Sequence, residues 1–266
     1  MISICPSEKT LTEPALALAQ RWGFNLSDAP REPYYLQLTA QRLQLIQTGK
    51  HSSGPIYVDF ASGQTAHRRR FGGGKGQIIA KAVSLRKTPC PLILDATAGM
   101  GKDAFVFASL GARVILMERS RVSAALLCDG LQRAALEEDI ADIIERMTFV
   151  YGDARFLGCS FAEGSNLADG SNHADGSTLL TETPDIIYLD PMFPHRKKSA
   201  LVKKEMLAFQ SLIGDDDDSD ELLNVCLQLA KKRVVVKRPI KAPWLDNHKP
   251  SLSMNMKKHR FDIYLI

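Results

Sequence analysis

The stretch LDATAGMGKDAF, residues 94–105, decides the fold of this 266-residue chain. It closes an apolar run at Asp95, turns through Gly99 and Gly101, and continues into small and apolar residues that favour a helix. Glycines let the backbone turn tightly and approach a ligand closely, and the amide groups of a helix N-terminus then face that ligand. The stretch therefore predicts a strand, a ligand-binding turn and a helix.

Apolar runs and helical patterns alternate from about residue 73 onward. Six runs predict strands, at residues 91–97, 113–119, 147–153, 185–191, 233–239 and 260–266. Strands that alternate with helices are typical of a parallel, doubly wound sheet. Residues 1–72 show instead one short helical pattern and three alternating segments, which predict a small α+β subdomain with an antiparallel sheet. We therefore predict an α/β protein with two parts, residues 1–72 and 73–266.

The composition is that of an ordinary globular protein. Hydrophobic residues make up 45% of the chain and charged residues 24%, which excludes a disordered or fibrous protein. Five cysteines without CxxC or CxxH spacing indicate neither a disulfide framework nor a zinc site. No apolar run approaches the ~20 residues of a bilayer helix, and the first residues lack a signal-peptide pattern. We expect a cytoplasmic protein that does not associate with membranes.

Positive charge is bunched, although the formal net charge is only +4. Four stretches are rich in Lys, Arg and His, at residues 67–77, 195–204, 231–241 and 257–260. Such bunching is the electrostatic footprint of a site for a polyanion. A solvated face explains any single cluster equally well, but four clusters together favour a nucleic acid as partner.

Two further segments are given no function. Residues 164–178 repeat ADGS without a hydrophobic period, which predicts a mobile surface loop. The acidic run within residues 214–223 precedes an apolar helical pattern, and aspartates at a helix N-terminus interact favourably with the helix dipole. Because this explanation is favoured over a metal site, we predict no metal.

The ends of the first two strands after residue 73 carry the pattern of a nucleoside site. Gly99, Gly101 and Ala104 form a GxGxxA pattern, and Glu118 ends the second strand, where a carboxylate can accept hydrogen bonds from two ribose hydroxyls. Glycines that serve only a turn are the alternative. A Walker motif is excluded because Asp103 stands where a magnesium-binding Ser or Thr is required.

Aspartates also end the next two strands. Asp153 can accept a hydrogen bond from an adenine amino group, or it is simply an exposed turn residue. Asp190 is followed by Pro191 and then by the aromatic Phe193. In the alternative, these residues have a purely structural role: the Asp-Pro pair only ends a strand, and Phe193 packs in the core.

Methylation of an exocyclic base amine explains why Asp190, Pro191 and Phe193 occur together. Such an amine is a poor nucleophile because its lone pair is delocalised into the ring. A carboxylate and a backbone carbonyl that accept both N–H groups localise the lone pair toward an electrophilic methyl group. Proline fixes the corner that aims the carbonyl, and an aromatic ring stacks on the flipped base. These three residues are therefore the predicted catalytic residues.

Several motifs resemble the bacterial ribosomal RNA small subunit methyltransferase J family. They are IYVDF, HRRRFGGGKGQ, DATAGMGKDAF, MERS, DPMFPHRKKSALVKKEM, KRVVVKRP and HRFDIY, so the resemblance spans roughly residues 55–264. It implies a class I methyltransferase fold and S-adenosylmethionine as the cofactor. It also implies that the substrate is 16S rRNA or the small ribosomal subunit, methylated at the exocyclic N2 of one guanine. No metal and no stable protein partner are implied.

The resemblance implies that three residue pairs bind the cofactor: Lys102 with Asp103, Glu118 with Arg119, and Asp153 with Ala154. It also matches Asp190 to the aspartate of the DPMFP motif. Together with the residue-level reasoning, the predicted cofactor-binding residues are Asp95, Gly99, Gly101, Lys102, Asp103, Glu118, Arg119, Asp153, Ala154 and Asp190.

Two other classes of function stay open at this point. An NAD-dependent oxidoreductase would use the same GxGxxA pattern and Glu118, but it gives no reason for Asp190 and Phe193 beside so much positive charge. A non-catalytic RNA-binding protein would keep the basic surface yet tolerate the loss of Asp190.

Overall fold

The chain forms two β-sheets with flanking helices. The computed structural model describes residues 2–49, 52, 54–159, 180, 182–192, 212 and 219–266. The strands are β1 Ser3–Pro6, β2 Asn25–Leu26, β3 Tyr34–Leu38, β4 Leu43–Gln47, β5 Leu92–Asp95, β6 Arg113–Glu118, β7 Met147–Tyr151, β8 Ile186–Leu189, β9 Arg233–Pro239, β10 Leu252–Asn255 and β11 His259–Leu265. The α-helices are α1 Thr12–Trp22, α2 Gly63–Phe71, α3 Ile78–Ala82, α4 Lys102–Ser109, α5 Arg121–Ala134, α6 Ala141–Ile144 and α7 Ser219–Leu229.

The larger sheet has seven strands in the order β10-β11-β9-β8-β5-β6-β7. The pairs from β9 to β7 are parallel, whereas β11 runs antiparallel to both of its neighbours. All six strands predicted from residue 91 onward are confirmed, as is the mostly parallel α/β fold. The sequence did not predict β10, because this edge strand, LSMN, is mostly exposed and lacks an apolar period.

The burial of the central strands explains why they could be predicted from the sequence. All four residues of β5 and all four of β8 are buried, so each strand reads as a continuous apolar run, as expected for a parallel sheet covered on both faces. The strand order reverses between β5 and β8, since β6 and β7 lie on one side and β9 on the other. In open α/β sheets, ligands bind at this switch point, outside the carboxyl ends of the strands.

The smaller sheet has the order β2-β1-β3-β4 and only partly matches its prediction. The pair β3–β4 is antiparallel as predicted, but β1 pairs in parallel with β2 and β3. The difference arises because α1 connects β1 to the strands that follow, and a crossover of this kind returns the chain in the same direction. The third alternating segment predicted in this part of the chain, residues 55–61, forms one isolated bridge, Ile56 to Leu45, rather than a strand.

This third segment packs on helices instead. Ile56, Val58 and Phe60 are almost fully buried, and the carbonyl of Val58 accepts a hydrogen bond from Arg133 Nη2 of α5 at 2.6 Å. A single apolar core includes these residues together with residues of both sheets. The division of the chain between residues 72 and 73 stays a prediction.

The longest α-helix in the described part of the chain, α5, has 14 residues. None of the helices described combines the length and apolar character that crossing a bilayer requires.

We predict that Gly130→Ala destabilises the fold, because an added methyl group would collide with the Val58 side chain where the 56–60 segment rests on α5. The free energy of unfolding should fall by about 1–3 kcal/mol, the usual cost of overpacking a close contact. Urea denaturation followed by circular dichroism measures this loss. Gly54→Ala is the matched control, since its methyl group meets no atom within 4 Å. Equal stabilities of the two variants would contradict the prediction.

Candidate active site

A cavity of about 450 Å³ opens at the carboxyl ends of β5, β6, β7 and β8, at the switch point of the sheet. Its volume lies in the range of small-molecule sites, which spans about 300–1,000 Å³. Ten of the predicted site residues line it: Asp95, Gly99, Lys102, Asp103, Glu118, Arg119, Asp153, Ala154, Asp190 and Pro191. Their individual roles stay predictions.

The glycine turn is tied directly to Glu118. Gly99 has φ +54°, and its N–H donates a hydrogen bond to Glu118 Oε2 at 2.8 Å. The N–H of Ser120 donates to Glu118 Oε1 at 2.6 Å. The carboxylate is thus held at the cavity wall by backbone donors from both sides.

Gly101 has a different role from Gly99, since it does not lie among the cavity-lining residues. It has φ +69° and caps the N-terminus of α4. A Cβ here would lie 2.8 Å from Leu127 and 3.1 Å from Phe60. A glycine is therefore required here for the close packing of the turn against α5 and the 56–60 segment, and the predicted contact of Gly101 with the cofactor stays a prediction.

Asp95 lines the cavity and is only 2% exposed. Its Oδ1 accepts a long hydrogen bond of 3.4 Å from the N–H of Thr97. Burial raises the pKa of Asp95 well above its ordinary value, and the negative charge of Asp103 adds to this shift. The neutral form is therefore favoured much more strongly than for an exposed aspartate.

A network of charged groups occupies the side of the cavity next to β8 and β9. Lys237 Nζ lies 2.6 Å from Asp190 Oδ2 and 3.0 Å from Asp103 Oδ2. Asp103 also accepts hydrogen bonds from Tyr188 Oη at 2.7 Å and from Arg68 Nη1 at 2.8 Å. Asp103 is thus a junction of this network, and all five side chains line the cavity.

The two carboxyl groups of the network differ in acidity. Burial works to raise the pKa of Asp103, but the charges of Lys237 and Arg68 outweigh it and hold that pKa below its ordinary value. For Asp190 burial prevails, aided by the charge of Asp103 and opposed by Lys237, so its pKa is raised. Burial would lower the pKa of Lys237, yet Asp190 and Asp103 together raise it. Lys237 is therefore a cation throughout the physiological range.

The sequence reasoning missed Arg68, Tyr188 and Lys237 as site residues. It assigned both cations to basic clusters, at residues 67–77 and 231–241, that were expected to face a polyanion. A signal existed for Lys237, because it follows three fully buried valines on a strand at the switch point. A charge at such a position is most often paired inside the protein.

The corner after β8 is joined to the glycine turn by its backbone. The N–H of Asp190 donates to Thr97 Oγ1 at 2.7 Å, and Pro191 is buried at the cavity wall. Phe193, the basic residues 195–198 and the ADGS repeat at 164–178 lie outside the described residues.

Asp153, at the end of β7, is surrounded by arginines. Arg155 contacts its carboxylate with Nη2 at 2.6 Å, and Arg119 Nη1 lies 3.6 Å away. Burial opposes ionisation, but the hydrogen bonds and charge of Arg155 lower the pKa of Asp153 overall. Ala154 is 3% exposed and begins a 3-10 helix, Ala154–Cys159, that closes this end of the cavity. The proposed contact of Asp153 with adenine stays a prediction.

Comparison with known proteins identifies the family. A family model for SAM-dependent methyltransferases matches residues 17–266. The ribosomal RNA small subunit methyltransferase J of Aeromonas hydrophila is 51% identical over 255 residues, covering 95% of this chain and 93% of that protein. The protein of the same name from Colwellia psychrerythraea is 49% identical over 261 residues, covering 96% and 89%. The chain belongs to the ribosomal RNA small subunit methyltransferase J family.

A solved structure agrees with this family assignment. The SAM-dependent methyltransferase from Neisseria gonorrhoeae superposes with a TM-score of 0.73 at 33% identity, covering 99% of this chain and 95% of that chain. S-adenosylmethionine is therefore the cofactor, and an NAD-dependent oxidoreductase is excluded.

The residues of the cavity fit this cofactor. The volume of the cavity suits a nucleoside with an amino-acid tail. Glu118, at the end of β6, stands where this fold class binds ribose hydroxyls. Within the described part of the chain, no group of three or more His, Cys, Asp or Glu side chains could hold a metal ion.

We predict that Glu118→Ala weakens the binding of S-adenosylmethionine by about 1–3 kcal/mol, because ribose hydroxyls and the Gly99 N–H lose a charged acceptor. Isothermal titration calorimetry measures the change in Kd. Glu138→Ala, an exposed glutamate of the loop before α6, is the control and should bind like the wild type. Unchanged affinity of Glu118→Ala would place the ribose elsewhere.

Proposed function

We propose that this protein transfers a methyl group from S-adenosylmethionine to the exocyclic N2 of one guanine in 16S rRNA of the small ribosomal subunit. The observation that carries the proposal is the position of Asp190. It ends β8 at the switch point, lines the cofactor cavity and is followed at once by the buried Pro191. This position supports a role for Asp190 as the carboxylate acceptor of a base amine beside the methyl donor.

The residues around Asp190 can perform the part of the reaction that the protein must supply. When bound, S-adenosylmethionine supplies an electrophilic methyl group: its S–CH₃ bond breaks as the N2–CH₃ bond forms, and S-adenosylhomocysteine and one proton are released. Asp190 accepts an N–H of the amine, and a backbone carbonyl near Pro191 accepts the other. Fixing the amine in this orientation removes most of the entropic cost of the encounter. Phe193, in the same motif, stacks on the base.

A basic rim beside the cavity supports an RNA substrate. We define it as the exposed residues Lys241, Trp244, Lys257 and Lys258. The N–H of Ile240, just past β9, donates to the carbonyl of Lys258, which joins the β10–β11 turn to the carboxyl end of β9. The rim therefore lies at the same edge of the sheet as Asp190. Lysines can contact phosphates there, and the 41% exposed Trp244 offers a ring for an unpaired base.

Two further observations support an rRNA substrate and a cytoplasmic location. The relatives at about 50% identity carry the name ribosomal RNA small subunit methyltransferase J. The cysteines at positions 5, 90, 128 and 226 are free thiols, as is usual in a reducing compartment.

The direct test is mass mapping of 16S rRNA from cells that lack this protein. One methylated guanine should lose 14 Da, the mass of one methylene unit, and expression of the wild-type protein should restore it. An unchanged modification profile would refute the proposed function.

We predict that Asp190→Ala lowers methyl transfer by at least about 100-fold, in the range seen when a group that acts on the reacting atoms is removed. Much of the affinity for S-adenosylmethionine should survive, since Glu118 and the glycine turn remain. The assay is transfer of a radiolabelled methyl group to unmethylated small subunits. Wild-type turnover by the folded variant would remove Asp190 from the mechanism.

Asp185→Ala is the matched control for this variant. Asp185 immediately precedes β8 and pairs with Lys232 at 2.8 Å, so it is a lysine-bound aspartate at the opposite end of the same strand. Its loss should lower the melting temperature slightly and leave turnover unchanged.

We also predict that Lys257→Gln with Lys258→Gln weakens RNA binding and flattens its salt dependence, by about one unit in the log–log slope for each phosphate that is no longer neutralised. Filter binding at several salt concentrations measures the slope. The Lys231→Gln, Lys232→Gln pair is the control, because these lysines precede β9 and so lie at the opposite edge of the sheet. Identical slopes for both double variants would mean that the rim does not contact RNA.

A further inference from the structure

Lys237 joins two carboxylates that belong to different parts of the site. Asp103 stands in the first turn of α4, directly after the glycine turn, and Asp190 ends β8. The Lys237 ammonium group lies 3.0 Å from the first carboxylate and 2.6 Å from the second. Nothing in the methyl-transfer chemistry described above has used this lysine.

We propose that Lys237 is a positioning residue for methyl transfer, which holds Asp190 as an oriented anion and links it to the glycine-turn helix. The inference rests on the proposed function, because Asp190 is the acceptor for the base amine only if that function is correct.

Lys237 shifts the protonation balance of Asp190 toward the ionised form, since its ammonium group lies 2.6 Å from Oδ2. Burial and the charge of Asp103 both raise the pKa of Asp190, and Lys237 is the strongest influence that lowers it. A protonated Asp190 would offer an O–H donor in place of one of its acceptor sites. Such a group binds the amine less well and cannot balance the positive charge that develops on the nitrogen as the methyl group arrives.

Lys237 also fixes the direction of the carboxylate. Among the described residues, the side-chain hydrogen bond of Asp190 goes through Oδ2 to Lys237, while its backbone N–H is fixed by Thr97 Oγ1. This arrangement leaves Oδ1 for a ligand N–H. The lysine itself is held in place by Asp103, which Arg68 and Tyr188 anchor from two other elements.

The groups that influence Asp190 come from several elements of the fold. On β11, Phe261 pairs directly with Lys237, and His259 lies on the same strand two residues earlier. Burial and the charge of Lys237 lower the pKa of His259, which keeps this imidazole largely neutral near pH 7. Among the described residues, the charged or titratable groups that interact with Asp190 include Lys237, Asp103, His259, Tyr188 and Asp95.

The sign of the pH effect follows from this arrangement. Methyl transfer requires ionised Asp190, so the rate should fall as the pH drops through the pKa of that group. This fall in rate at low pH is the acid limb of the pH–rate profile. Lys237→Met removes the neighbouring positive charge, so the midpoint of the acid limb should rise by about 1–3 pH units, the usual effect of an opposite charge within hydrogen-bonding distance. Each unit corresponds to about a tenfold loss of rate at a fixed pH on the limb.

The experiment measures single-turnover methyl transfer to unmethylated small subunits between pH 5 and 8.5, with saturating S-adenosylmethionine. Lys237→Arg keeps the charge and should restore most of the wild-type profile. Asp103→Asn removes a negative charge near Asp190 and should move the acid limb downward. Lys232→Met, which removes a lysine paired with Asp185 at the far end of the strand, should leave the profile unchanged.

A second measurement does not depend on activity. Carbon-13 NMR of aspartate-labelled protein, assigned with Asp190→Asn, follows the titration of the Asp190 carboxyl group in the wild type and in Lys237→Met. A pKa that stays the same in both proteins would overturn the inference, and so would a shifted pKa with an unmoved acid limb. If the wild type methylates no rRNA at any pH, the proposed function fails, while the NMR titration still decides whether Lys237 holds Asp190 ionised.

Discussion

The Asp103 carboxylate is the contact on which the rest of the site depends. Groups from three other elements converge on it: Arg68 of α2, Tyr188 of β8 and Lys237 of β9. A largely buried carboxylate remains ionised only if cations and hydrogen-bond donors replace its water. Because these partners come from the β8–β9 side of the switch point and from the N-terminal third of the chain, they fix the relative positions of the glycine turn, the end of β8 and α2.

This balance divides the cavity into two electrostatic regions. On the β6–β7 side, Glu118 is bound by backbone N–H groups and Asp153 by arginines. On the β8–β9 side, the carboxylates of Asp103 and Asp190 share one lysine. The first region suits the neutral, hydroxyl-rich nucleoside part of a cofactor, and the second suits an uncharged amine that gains positive charge during reaction. The sheet thus provides both environments at one edge, with no metal ion in the proposed chemistry.

The sequence predicted those parts of the fold that depend on the residue pattern of a single segment. Strands β5 and β8 were readable because both of their faces are buried. Glu118 and Asp190 were predicted as site residues because a carboxylate at the end of an apolar strand is conspicuous, and both line the cavity. The partners of Asp103 and Asp190 were not found, because Arg68 and Lys237 look in sequence like surface cations and the direction of their side chains depends on packing. The strand β10 was missed because an exposed edge strand is recognised by its pairing with β11, which lies outside its own sequence. The family resemblance supplied the target base, which no pattern of residues in one chain specifies.

The position of β11 also has a consequence for how this protein matures during translation. Residues 259–265 insert between β9 and β10, and β11 follows every other described strand in the sequence, so the pairing partner of Lys237 is synthesised after them. Until then, β9 is an unprotected sheet edge, and the ammonium group of Lys237 has no Phe261 beside it. Domains fold as units once their full set of strands is available. A nascent chain would therefore carry the basic residues of its earlier segments before its cavity is complete, and we expect competence for methyl transfer only after β11 has joined the sheet.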